Sequence, residues 1–223
     1  MTTVAAVLFW ASAGLLVYTH LGYPLLLALL VRLRGERGRP LSRIARQTST
    51  APVSGALPTV SLIVPAYDEE EVIAAKVVNA LALEYPRERL QVIVASDGSA
   101  DATAERARAA GADLVLELPP GGKVAALNAG AARASGEFLA FSDANSAWAP
   151  EALRRLVAPF AAADVAYVCG QVRFTDPDGG NLEGAYWRYE MAVRGMESSL
   201  AGITAGNGAI YAVRREHYLP LAP

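Results

Sequence analysis

Residues 4–31 form one predominantly apolar stretch with no formal charge, and from residue 57 onward short apolar runs alternate with amphipathic segments. The first stretch is 28 residues long, about 42 Å of helix at ~1.5 Å per residue, enough to cross a ~30 Å hydrocarbon core with some tilt. It predicts a transmembrane anchor. Pro24, with Gly22 and His20 nearby, marks a point where the span can kink or split, which leaves a half-inserted segment open. A signal peptide is the rival reading, but the cleavage-like Ala11-Ser12-Ala13 sits inside the apolar run and no basic region precedes it.

The second pattern predicts alternating strands and helices. Residues 59–67 (TVSLIVPAY) read as a strand buried on both faces. The expected helix has Asp68 as its cap, Glu69, Glu70 and Glu71 at its positive end, and Ile73, Val77 and Leu81 at helical spacing before Pro86 stops it. Strands are expected at 90–95, 113–118, 137–142 and 165–175, and helices at 100–110, 122–135 and 150–163, the last shortened by Pro159. Such alternation predicts an α/β sandwich around a mainly parallel sheet. Residues 182–200, with Tyr186, Trp187, Tyr189, Arg188 and Arg194, read as a core helix or a membrane-surface or acceptor-side helix. Residues 204–207 read as a Gly-rich turn or an acceptor-facing loop.

Composition narrows the class. In 223 residues, 53% hydrophobic and 19% charged content excludes a disordered chain, and a single cysteine, Cys169, excludes a disulfide framework or a Cys-rich zinc site. A formal net charge of −2 argues against a nucleic-acid partner. Placement of charge matters more. Arg32, Arg34, Arg37, Arg39, Arg43 and Arg46 face only Glu36, so residues 32–46 carry +5 and the remainder after them −7. Arginines following the span place its C-terminal end in the cytoplasm. The expected organisation is an anchor at 1–31, a basic linker at 32–56 and an acidic body at 57–223, at the cell (inner) membrane with the body cytoplasmic.

In open α/β sheets ligands bind beyond the carboxyl ends of the strands, and here those ends are polar. Pro65-Ala66-Tyr67-Asp68-Glu69 follows the first strand, Ser96-Asp97-Gly98-Ser99 the second, and Ser142-Asp143-Ala144-Asn145 the run 138–141. Each taken alone is an ordinary turn or helix start; together they would converge on one edge. Strand alternation would point Asp143 and Asn145 the same way, and such oxygen donors suit Mg2+ or Mn2+ when a diphosphate completes the shell. Gly121-Gly122-Lys123, opening a helix that includes Asn128, is a natural anion site without Walker A spacing.

Four segments, SLIVPAYDEEEVI (61–73), VIVASDGSADAT (92–103), GGKVAALNAGAARASGEFLAFSDAN (121–145) and TAGNGAIYAVRRE (204–216), resemble the membrane-anchored family 2 glycosyltransferases with a GT-A fold, the group containing cellulose, chitin and hyaluronan synthases. The resemblance implies a GT-A-like three-layer sandwich. It also implies a site for a UDP- or GDP-linked sugar, with Pro65, Ala66 and Glu69 lining the nucleoside pocket, Asp97 addressing base or ribose, and Lys123 and Asn128 near the nucleotide. Asp143, with Asn145, would hold Mg2+ or Mn2+. The sugar would pass with inversion to a glycan or lipid acceptor. Two departures stand out: Ser96 replaces the first Asp of the usual Asp-Asp-Gly-Ser, and Asn145 the second Asp of Asp-x-Asp. In the family the acceptor base follows the segment matching 204–216, so the base is expected beyond Pro223 and the C-terminal part of the domain is expected to be missing; Glu216 reads as a surface acid. Two alternatives stay open: a membrane-anchored nucleotide- or partner-binding module without transfer activity, and, weaker, a nucleotidyltransferase.

Overall fold

The computed structural model describes residues 2–34, 57–172, 184–200, 206, 208–220 and 222. They belong to two compact units, Met1–Ile44 with Arg173–Ala205, and Ala45–Val172 with Gly206–Pro223. The linker expected at 32–56 lies outside the described residues from residue 35 on, as do 173–175 and most of 204–207.

In the first unit, helices α1 (Thr2–Val17) and α2 (Tyr23–Arg34) are joined by one π-helical turn, Tyr18–Gly22. Pro24 accordingly loosens the apolar helix without splitting it. Its ring removes the N–H that would bind the carbonyl four residues back, that of His20. The Tyr23 N–H reaches back five residues to the Tyr18 carbonyl, and the Tyr189 hydroxyl donates to the released His20 carbonyl at 2.9 Å. Tyr189 lies on α7 (Ala185–Leu200), which packs along α2 and also takes the Tyr23 hydroxyl on Glu197 at 2.6 Å. Residues Thr3–Leu33 are long and apolar enough to cross a membrane, with mean hydropathy 1.8.

The second unit is built on a six-stranded sheet. Its strands are β1 (Val60–Ala66), β2 (Leu90–Asp97), β3 (Leu114–Leu118), β4 (Phe138–Phe141), β5 (Tyr167–Cys169) and β6 (Tyr211–Arg214), in spatial order β3-β2-β1-β4-β6-β5. The first four run parallel, while β6 pairs antiparallel with both β4 and β5. Helices α3 (Ile73–Leu81), α4 (Thr103–Ala109), α5 (Lys123–Ala132) and α6 (Ala152–Val157) fill the connections. Burial on both faces explains the uninterrupted apolar runs: Val60, Leu62, Ile63 and Val64 of β1 and Val92, Ile93 and Val94 of β2 are all buried. Ile63, Ile93, Leu127, Leu139 and Phe141 join in one core cluster between α5 and the sheet.

Three expectations are corrected. The strand expected at 165–175 is confined, among the described residues, to Tyr167–Cys169, because Val165 closes a turn onto the Ala162 carbonyl. Asp68 does not cap a helix. It adopts φ 49°, gives its N–H to Ser99 Oγ and accepts the Ala100 N–H on its carboxylate at 2.8 Å. The following helix begins only at Ile73, through the Val72 and Ile73 N–H groups on the Glu69 carbonyl. The helix expected from residue 100 likewise starts later, at Thr103, because residues 99–102 are engaged with the loop after β1: the Glu70 N–H binds Asp101, and the Ala102 N–H binds the Glu70 carboxylate. Desolvation pushes the Asp101 carboxyl up, but the hydrogen bonds it accepts from the Thr103 hydroxyl and from nearby backbone N–H groups together hold it below its ordinary range.

Candidate active site

The four parallel strands deliver their carboxyl ends to one edge, and the polar turns follow directly from them. At that edge the Lys123 ammonium, on the first turn of α5, meets the Asp143 carboxylate at 2.6 Å, with side chains 55% and 31% exposed. Gly208 lies beside this pair. A Cβ placed there would stand 3.4 Å from Lys123 Nζ and 3.8 Å from an Asp143 oxygen, so the missing side chain leaves room over the pair. Gly208 was part of a recognised segment, yet nothing local singled it out.

The other sequence-derived residues take varied places. Pro65 and Ala66 end β1 in register with Ala95 and Ser96, forming a backbone wall. Glu69 gives its N–H to Thr103 Oγ1 at 2.8 Å. Asp97 is 8% exposed, and one of its oxygens accepts the Gly121 N–H at 2.8 Å, which ties the glycine turn before Lys123 to the end of β2. Ser96, in the position where the family has an aspartate, is buried and hydrogen-bonded to Ser99. Asn128 accepts the Tyr218 hydroxyl at 2.8 Å. Tyr218 and Tyr211 both stack on Phe141, so Asn128 is joined to an aromatic layer under β4 and β6.

Asp143 and Asn145 are not on a strand. The strand ends at Phe141, and the Ser146 N–H closes a turn onto the Asp143 carbonyl at 3.2 Å; alternation therefore does not relate the two side chains. Asn145 is exposed. Among the described residues no three acids, histidines or cysteines gather. One partly exposed carboxylate beside the open space at Gly208 fits a hard cation that takes most of its shell from a phosphate-bearing ligand, and does not fit a closed protein cage. Glu216, 72% exposed beside His217, is a surface acid, as its sequence context suggested.

Two further residues escaped the sequence reading. Lys76 is buried, and its Nζ donates to the Ser146 carbonyl at 2.7 Å; Asn79 pairs with both backbone groups of Trp148. The available signal was a lysine on the inward stripe of a helix, at the positions Ile73, Lys76, Val77 and Ala80. Burial lowers its pKa from 10.5 to about 8, against the opposing effect of the Asp143 charge. The unfolded chain therefore holds the extra proton between those values, and this group's contribution to stability rises with pH across the window. Urea unfolding from about pH 8 to about pH 10 should show wild type gaining roughly 2–3 kcal/mol on Lys76→Met; a flat or falling difference refutes the assignment. Burial raises the Tyr211 pKa from 10.0 to about 12, so that tyrosine acts in the opposite sense from about pH 10 upward, and being common to both proteins it cancels in their difference.

A mostly parallel α/β sheet with a partly exposed acid and a helix-start lysine at its carboxyl edge has the layout of a ligand-binding α/β domain. The profile of glycosyl transferase family 2 matches residues 61–218, and the chain belongs to that family. The glycosyltransferase AglE of Haloferax volcanii is 35% identical over 140 residues, 60% of this chain and 46% of its own. The beta-monoglucosyldiacylglycerol synthase of Synechocystis sp. is 31% identical over 173 residues, 72% of this chain and 34% of its own. Among solved structures, the mannosyltransferase PcManGT of Pyrobaculum calidifontis, in complex with GDP-Man and Mn2+, matches with a TM-score of 0.64 at 27% identity over 92% of this chain and 56% of its own. Glucosyl-3-phosphoglycerate synthase of Mycobacterium tuberculosis in complex with UDP matches at 0.52 and 25% identity, over 79% of this chain and 61% of its own. The chain thus spans roughly half, or less, of the length of the curated relatives it matches.

Proposed function

We propose that this chain carries the donor-binding part of an inverting glycosyltransferase that moves a sugar from a UDP- or GDP-linked donor to a glycan or lipid acceptor. The Lys123–Asp143 pair beneath the opening at Gly208 is the observation that carries the reading. Lys123 supplies a cation for a diphosphate at a helix start, Asp143 with Asn145 would hold Mg2+ or Mn2+, and Asp97 fixes the glycine turn that presents Lys123. When bound, the metal would offset charge on the departing nucleoside diphosphate. The complexes of relatives with GDP-Man and Mn2+, and with UDP, support this choice of ligands. Calorimetry with UDP and GDP, with and without Mn2+, tests it: micromolar to millimolar binding that tightens with Mn2+ is expected, and metal-indifferent binding or none overturns it.

The apolar helix Thr3–Leu33 and the arginines after it support a membrane anchor with the body on the cytoplasmic side. Single cysteines introduced after Arg46 should resist a membrane-impermeant thiol reagent in intact cells. Ready labelling there would reverse the orientation.

A further inference from the structure

Lys76 is 3% exposed on the stripe of α3 that faces the core. A buried ammonium is costly unless its partners compensate, and an apolar side chain of equal length would fill the same space at lower cost. Its partners all belong to the segment that follows Asp143. The ammonium donates to the Ser146 carbonyl at 2.7 Å and lies 5.0 Å from the centre of the Trp148 ring. One turn farther along the helix, the Asn79 side chain accepts the Trp148 N–H at 2.8 Å and donates to the Trp148 carbonyl at 2.9 Å. Ser146 in turn closes onto the Asp143 carbonyl. The Trp148 indole N–H then donates to the Ala209 carbonyl at 3.0 Å, next to Gly208. One helix therefore holds the turn bearing Asp143 and, through Trp148, the loop on the other side of the Lys123–Asp143 pair.

We propose that Lys76 is a positioning residue for the metal–diphosphate site, fixing the turn 143–148 so that the Asp143 carboxylate and the opening at Gly208 keep their spacing. This rests on the reading of Asp143 as a metal ligand. The proposal makes a prediction opposite in sign to a purely electrostatic role: deleting a positive charge near Asp143 should by itself tighten cation binding, whereas loss of positioning should weaken it.

The test uses the 223-residue chain, with Mn2+ binding in the presence of UDP or GDP followed by the EPR signal of free Mn2+, metal-free nucleotide binding by calorimetry, and folding by circular dichroism. Lys76→Met is expected to fold, to keep metal-free nucleotide affinity within about twofold, and to weaken Mn2+ affinity about tenfold. Lys76→Arg, which keeps a donor and a charge, should recover part of that loss. Trp148→Phe, which keeps the ring and removes the Ala209 bond, should weaken Mn2+ binding about threefold. Should Lys76→Met fail to fold, Trp148→Phe carries the test. Wild-type or tighter Mn2+ affinity in a folded Lys76→Met, or wild-type affinity in Trp148→Phe when that variant carries the test, overturns the positioning role. If wild type itself binds no Mn2+ with nucleotide, or Asp143→Ala leaves that binding intact, the reading of Asp143 falls and this proposal with it. If Asp143→Ala abolishes Mn2+ binding while Lys76→Met leaves it unchanged, only the positioning role falls.

Discussion

Asp143→Ala is expected to weaken nucleotide-dependent Mn2+ binding at least about 100-fold and, in an assay of transfer, to lower the rate by about 10²–10³-fold, the order seen when one charge-stabilising group is lost from an active site. The fold should hardly notice. Asp143 is 31% exposed and its charged partner is Lys123, itself 55% exposed, and such pairs contribute only about 0–1 kcal/mol. The substitution therefore separates chemistry from folding more cleanly than a change at buried Asp97, whose oxygen holds the Gly121 N–H. Lys123→Met should behave differently. It removes the cation offered to the diphosphate but leaves the carboxylate, so metal-free nucleotide affinity should fall about tenfold while Mn2+ alone binds no worse, since the ammonium no longer competes for Asp143. Calorimetric titrations of metal and nucleotide, separately and together, read both effects. Equal losses of both ligands in both variants would mean that the pair is a structural contact, not two halves of a binding site.

The parallel part of the sheet was legible because strands buried on both faces must be continuously apolar, and β1 and β2 are. Their polar ends were legible as a group for the same reason, since parallel strands bring those ends to one edge. What the sequence hid was pairing over distance. Asp68 followed by three glutamates reads locally as a helix start, but its carboxylate is taken by Ala100, thirty-two residues on. Asp143 and Asn145 read as strand alternation, but the strand stops at Phe141 and a turn follows. Lys76 sits seventy residues from the carbonyl it holds; its helix periodicity reports that the face is buried, and only the fold reports against what. Gly208 is the clearest case. Its contribution is the side chain it lacks, next to two residues that come from other elements.

Gly136→Ala should be strongly damaging, lowering stability by about 3 kcal/mol, or roughly 6–12 °C in Tm for a domain of this size. In the sequence it is one residue of an unremarkable Ala-Ser-Gly-Glu turn. In the fold that turn docks on the buried Ser61 of the central strand, whose hydroxyl oxygen accepts the Gly136 N–H at 2.9 Å and donates to Gln91 at 2.6 Å. An added Cβ would stand 2.5 Å from the Ser61 backbone nitrogen, 2.6 Å from the Val60 carbonyl carbon and 2.8 Å from its Cα. These are atoms of β1, fixed on both sides by β2 and β4, so no flexible side chain can swing aside; the turn itself must retreat. Gly136 is followed by Glu137 and then β4, which pairs Phe138 with Val60 and ends two residues before Asp143. Retreat of the turn should therefore also disturb the site. Chemical denaturation measures the first effect, and Mn2+ binding in the presence of nucleotide, under conditions where the variant is folded, measures the second. Near wild-type stability would show that the turn relaxes without cost, while loss of stability with wild-type Mn2+ affinity would show that β4 keeps its register and absorbs the strain before it reaches Asp143.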